Sequence, residues 1–380
     1  MRRLVIPALI ALLPWACDGN GGGDSGGPPP NGGQGASTGN GGGAGNGGNG
    51  AQAGNGVGGS EDAPVYLSVT TNPLASNGVS PNASDQVTAD LTAFALGVRA
   101  MHIVLRWDQF NQNDIPVLTQ RVNAYSERPL QVVLELAVVD HRAGRRPGWL
   151  VGAAWNAPET VAALQAALDS LIGAVGSELD AVILGRGVDA YIEQHPAEAE
   201  ALRALMHAGI ERLSMLAPQL PNGVSLRFPS DVDGELATLG SMAVYSYLPG
   251  WGAATVPDDI SATNDLDAMI EKAGDRPILL EAVGYTSALI LESSMVEQRD
   301  MLAAFFAALE PRRAFFHYVN VFQLHDLQAA PCDAYALDQG LAPSDPLARY
   351  VCEAGLRDTQ GEAKEAWTEM IEAAAALASP

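Results

Sequence analysis

Pro277-Ile278-Leu279-Leu280-Glu281-Ala282-Val283 is an apolar run of strand length, and behind it Met295 to Leu309 forms a longer Ala- and Leu-rich segment of helical period. A short strand followed by an amphipathic helix is the βα unit, and its repetition builds a parallel sheet. The same alternation extends outward in both directions. Strands are expected at Val65 to Thr71, Met101 to Arg106, Leu130 to Ala137, Asp180 to Arg186, Gly223 to Phe228, Met242 to Tyr247 and Ala314 to Val321. Helices are expected at Glu159 to Val175, Ala197 to Leu216 and, closing the chain, Gly361 to Leu377. Eight strands each followed by a helix fit a closed (β/α)8 TIM barrel of the α/β class. An open doubly wound sheet would carry a Gly-rich turn after its first strand, and none is present.

A chain of 380 residues suits one such domain preceded by a leader. With 47% hydrophobic and 17% charged residues it can bury a large core. Its formal charge of −23, from 21 basic and 44 acidic residues, opposes binding to phosphate backbones. Nucleic acid is therefore excluded as a partner. No cofactor is expected either: the Gly-rich stretch lacks a Lys-Ser/Thr ending and no strand-helix unit follows it. No metal site is expected, because His141, His317 and His325 lack the spacing of a ligand set. His102 and His207, within apolar strand and helix patterns, read as structural.

The N-terminus reads as an export signal. Met1-Arg2-Arg3 is a positive n-region, Leu4 to Leu13 an apolar h-region too short to span a bilayer, and Ala16-Cys17 stands where signals are cut. Cys17 resembles the lipidated cysteine of bacterial lipoproteins, although Pro14 and Trp15 depart from that pattern. Residues 1–17 are thus read as signal and anchor, 18–62 as a Gly/Asn-rich disordered tether and 63–380 as the barrel. The tether's root-mean-square reach is about 35–40 Å. A monomer at the cell envelope, touching the membrane through its lipid alone, is expected. Export also makes a disulfide between Cys332 and Cys352 plausible.

In a barrel of this kind the chemistry sits where the strands end in their C-terminal loops. Those ends carry Arg106-Trp107-Asp108, Asp140-His141-Arg142, Arg186-Gly187-Val188-Asp189, Tyr245 and Tyr247 with Trp251, Glu281 with Tyr285, and His317-Tyr318 with His325-Asp326. Aromatic faces cover sugar rings, and carboxylates or imidazoles bond hydroxyls. Substrate contacts are accordingly expected from Trp107, Asp108, Asp140, Tyr191, Tyr245, Tyr247, Trp251, Tyr285, His317 and Tyr318. Taken singly, each aromatic at a strand end is core or rim packing more often than a ligand contact. Glu281, isolated in an apolar run, must reach the barrel mouth or find a buried partner, so a nucleophile and a structural ion pair both stay open.

The stretch Ile278 to Tyr285 resembles the end of strand seven in the retaining glycoside hydrolases with (β/α)8 barrels, such as the cellulase and endo-galactanase families. Gly355-Leu356-Arg357-Asp358 with Gly361, Lys364 and Trp367 resembles their approach to the final helix. The resemblance implies Glu281 as nucleophile and an oligo- or polysaccharide as partner. It also implies an Asn-Glu pair after strand four, where this chain has Arg186 and Gly187 instead. Glycine cannot transfer a proton, and acid/base catalysis contributes about 10²–10⁴-fold, so hydrolysis is expected to be weak or absent. The alternative is an active glycosidase with Asp189 or Glu193 as a displaced acid, or one acting on an activated substrate. Arg186 is placed either to pair with Glu281 or to recognise an anionic ligand.

Overall fold

The computed structural model describes residues 64–76, 81–230, 234–253, 255–257 and 260–378. The expected signal, Cys17 and the whole of the tether lie outside the described residues.

Eight parallel strands form the barrel: β1 Tyr66–Val69, β2 Ala100–Arg106, β3 Gln131–Asp140, β4 Ala181–Arg186, β5 Asn222–Arg227, β6 Ala243–Tyr247, β7 Ile278–Val283 and β8 Phe316–Val321. From β2 to β8 each strand pairs with the next, and β8 pairs with β1, Tyr66 opposite Tyr318. Arg99 donates its backbone N–H to the Leu67 carbonyl at 2.9 Å, which closes the circle between β1 and β2. β3 runs three residues past its expected end because Val139 and Asp140 pair with a two-residue antiparallel piece, Ala143–Gly144.

The outer layer consists of α1 Ala83–Ala95, α2 Ile115–Ser126, α3 Pro158–Val175, α4 Val188–Gln194, α5 Ala199–Leu216, α6 Ala262–Ala273, α7 Met295–Leu309, α8 Ala329–Asp338, α9 Pro346–Cys352 and α10 Ala366–Leu377. Sequence patterns explain the individual helices. In α3, Pro158 opens the first turn, where its missing N–H costs nothing, and Leu164, Leu168, Leu171 and Val175 recur at helical spacing on the buried face. Burial of each such leucine contributes about 1.5–3 kcal/mol. α7 starts where the Ser294 side chain accepts the Glu297 N–H at 3.2 Å.

One link departs from the expected repeat. Between β5 and β6 the described residues hold only a 3-10 turn, Leu236–Thr238. The final link, conversely, carries three helices, α8 to α10.

Cys332 in α8 and Cys352 in α9 form the expected disulfide. It closes a 20-residue separation, and a loop of that size gives about 3 kcal/mol through loop-closure entropy. Cys332→Ala/Cys352→Ala should lose about that much stability in urea unfolding. A loss below about 1 kcal/mol would place the stabilisation of this segment elsewhere.

Candidate functional site

Strand pleating decides which side chains meet inside the barrel. Ala100, Val133, Ala181, Ile183, Met242, Val244, Leu279 and Tyr318 form a separate apolar layer. Two residues further along their strands, toward the C-terminal end, stand His102, Glu135, Ser246, Glu281 and Asn320, all buried. Ser225 of β5 joins them. An apolar plug therefore fills the lower barrel, and a polar layer lies above it.

Glu281 has no exposed surface. Its Oε1 accepts from Ser225 Oγ at 2.9 Å and from Ser246 Oγ, while its backbone carbonyl accepts from Asn320 Nδ2 at 2.7 Å. Arg186, at the end of β4, places Nε 3.8 Å from Glu281 Oε2 and 3.5 Å from Glu135 Oε1. His102 Nε2 stands 2.9 Å from Glu135 Oε2. One guanidinium thus lies between two buried carboxylates. Above it, the Phe322 ring centre is 5.4 Å from the guanidinium carbon.

Burial sets the protonation of this layer. Desolvation raises Glu135 to about 7 against the pull of Arg186, and it raises Glu281, with repulsion from Glu135 adding and Arg186 opposing. Desolvation holds His102 down at about 4, so its imidazole is neutral at physiological pH.

The Glu135 shift has a consequence for stability. The folded value of about 7 lies above the ordinary 4.5, so the folded state holds the proton more tightly. The resulting stabilisation is complete below pH 4.5 and is lost as pH rises through 7. Urea midpoints at those two pH values should converge in Glu135→Gln. An unchanged difference would remove Glu135 as its source.

Gly187 adopts the left-handed conformation, φ +54°, and donates its N–H to Ser225 Oγ at 3.1 Å. A Cβ built there would stand 2.4 Å from His141 Nδ1. The His141 ring therefore occupies the space that a side chain at 187 would need. This imidazole is 5% exposed and packs edge-on against Trp251, ring centres 4.4 Å apart. Desolvation lowers it to about 3, against the attraction of Asp140, so it is neutral.

Asp189 and Glu193 both turn to Arg227. Asp189 accepts from the Arg227 backbone N–H at 2.8 Å and from its Nε at 3.0 Å, and Glu193 lies 2.5 Å from the same guanidinium.

The expected ligand contacts separate into groups. Asp108 and Tyr191 line an open groove of about 870 Å3 beside the barrel mouth. Asp140 is held by Arg145 at 3.0 Å, and half-buried Trp251 packs on His141. Trp107 and Tyr285 are core residues, 2% and 7% exposed. Tyr318 lies inside the barrel, its ring 6.0 Å from that of His102.

Three of the expected contacts are corrected. Val244 and Ser246 point inward, so Tyr245 and Tyr247 point outward into the main core. Tyr247 donates to Asp265 of α6 at 2.6 Å and stacks on Phe305 of α7. His317 packs against Tyr66 at the opposite, N-terminal end of the strands. Strand parity counted from Glu281 and its neighbours carries this information.

Two titratable members of the polar layer, Glu135 and His102, are not among the site residues expected from the sequence. Glu135 interrupts the apolar run Val132 to Val139 as Glu281 interrupts its own, so the same argument reaches it. His102, read as structural, is its partner.

The groove is built from the loops after β2 and β3, from α4, and from the end of α8. Asp338 of α8 ties this wall down through Arg145, at 2.7 Å, and Arg106, at 3.3 Å. Gln339 accepts the Arg142 backbone N–H at 3.1 Å. Neither Glu281 nor Arg186 lines the groove.

No protein-family model and no curated protein matches this sequence. Solved structures do match. GH5_18 from Streptomyces cattleya in complex with GlcNAc superposes with a TM-score of 0.66 at 17% identity, covering 83% of this chain and 81% of that one. A GH5_18 from Bifidobacterium longum subsp. infantis gives 0.64 at 16%, with 82% and 79% covered. An exo-β-1,4-mannosidase from Opitutaceae bacterium strain TAV5 gives 0.59 at 15%, with 82% and 59% covered. The chain shares the (β/α)8 barrel of these glycoside hydrolases.

Proposed function

We propose that this protein is a carbohydrate-binding barrel of glycoside-hydrolase fold that does not hydrolyse its ligand, held as a monomer at the cell envelope by a lipid on Cys17. One observation carries the reading: His141 occupies the place of any side chain at Gly187. Retaining hydrolysis needs a second carboxyl group about 5–5.5 Å from the nucleophile to protonate the leaving oxygen. Opposite Glu281 stands Arg186, a permanent cation at 3.8 Å that has no proton to give at neutral pH. A carboxylate neutralised by a guanidinium and bonded to two serine hydroxyls is also a poor nucleophile. Displaced catalysis by Asp189 or Glu193 draws no support, because Arg227 holds both. Carbohydrate as the ligand class is supported by the neighbours, among them GH5_18 structures in complex with GlcNAc and with Manβ1-4GlcNAc.

An aryl glycoside with a good leaving group tests this, because it needs little acid assistance. Turnover should stay at the uncatalysed rate with and without azide. Azide-stimulated turnover that disappears in Glu281→Gln would show a live nucleophile and sink the proposal.

A further inference from the structure

We infer that the sugar site of this protein is the groove between the loops after β2 and β3 and the end of α8, and that it takes a neutral oligosaccharide. This rests on the carbohydrate-binding reading above and adds the place and the ligand class. Glu281 is wholly buried and Arg186 is 7% exposed, so a ligand has almost no surface to touch at the strand ends of β4 and β7. The groove, by contrast, is open and has about 870 Å3, within the range of about 300–1,000 Å3 found for small-molecule sites.

Its chemistry suits a polyhydroxylated ring. Apolar side chains stand exposed along it: Val151 is 76% and Leu337 67% exposed. Trp149, next in the chain to the lining residue Gly148, is 71% exposed, which is unusual for an indole unless a partner covers it. Flat or apolar faces of this kind pack on the C–H face of a sugar. The same walls hold buried N–H groups with no partner among the described residues, Arg142 Nε and Gln339 Nε2, and Gln339 is 4% exposed. An unsatisfied buried donor costs about 1–3 kcal/mol, and a ligand oxygen reached by a small rotation of Gln339 relieves it.

Charge pairing at most of the groove favours neutral over acidic sugars. Arg145 is paired with Asp140 and Asp338, Arg106 with Asp108, and Arg146 with Glu198. At these pairs an acidic ligand would have to displace a carboxylate, whereas hydroxyl groups can bond to both partners without breaking them. Arg142, which lines the groove with no ion pair among the described residues, is the one place where an acidic sugar could dock directly. The chain's charge of −23 disfavours an anion further.

Calorimetric titration of the mature protein with neutral manno- and gluco-oligosaccharides, and with oligogalacturonate, tests the inference. Trp149→Ala and Gln339→Glu should each weaken neutral binding at least ten-fold. Gln339→Glu keeps an acceptor for the Arg142 N–H and replaces the free donor with an oxygen. Leu289→Ala, an exposed apolar residue on a different loop, should leave binding unchanged. Because Trp149 is exposed, its variant should fold even if the Gln339 variant does not. Neutral binding that survives both substitutions, or binding of oligogalacturonate alone, overturns the groove assignment while the carbohydrate-binding reading stands. No binding to any of these sugars overturns both.

Discussion

Arg186→Met is expected to destabilise the protein by about 3–5 kcal/mol, seen as a lower urea midpoint at unchanged slope, because it strands buried Glu135 and Glu281 without a cation. In the native barrel the guanidinium faces one oxygen of each carboxylate, and neither carboxylate has exposed surface. Without it the two acids can avoid charge only by taking up protons. Both folded values are already raised by desolvation, and loss of Arg186 raises them further. The defect should therefore be small near pH 5, where the carboxyls are protonated in the folded variant, and grow as pH rises toward 8. Adding Glu135→Gln and Glu281→Gln should restore most of the loss, since an uncharged layer needs no counterion. The three positions are in contact, so their effects will not add. A single-variant loss under about 1 kcal/mol, or one independent of pH, would show that water rather than Arg186 stabilises the pair.

Introducing an acid by Gly187→Glu should produce no hydrolysis and should cost stability. The backbone at 187 is left-handed, which costs a side-chain-bearing residue about 1–2 kcal/mol. The new Cβ would also meet the His141 ring at 2.4 Å, and overpacking of this kind costs about 1–3 kcal/mol more. Together the loss should be about 2–5 kcal/mol in thermal or urea unfolding, with aryl glycoside turnover still at background. His141→Ala in the same chain should recover part of the packing term and leave the backbone term. Efficient hydrolysis by Gly187→Glu alone would mean that His141 moves aside readily, and the site would then be one substitution from activity.

These expectations depend on distances between residues remote in sequence, and they mark how far the sequence could be read. The strands were legible because runs such as Leu130 to Ala137 and Pro277 to Val283 are short, apolar and rich in branched side chains, and only one architecture buries eight of them with helices outside. The β5–β6 link was misjudged because a regular repeat was extended across a segment that needs only a 3-10 turn to cross. Tyr245, Tyr247 and His317 were assigned to the mouth by proximity to a strand's end. Pleating, with its period of two, sends alternate residues to opposite faces, and His317 lies near a strand's beginning.

From the sequence by itself came the barrel, the isolated carboxylate at 281, and the presence of Arg186 and Gly187 at the end of the fourth strand. Those follow from hydropathy period and residue identity, which are local. Only the tertiary structure decided that Arg186 serves two carboxylates rather than one, that His141 fills the volume over Gly187, and that the open groove lies away from Glu281. Closing the cylinder brings β2, β3, β4 and β7 around one axis, and whether a charge there meets water or a counterion depends on which neighbours arrive with it.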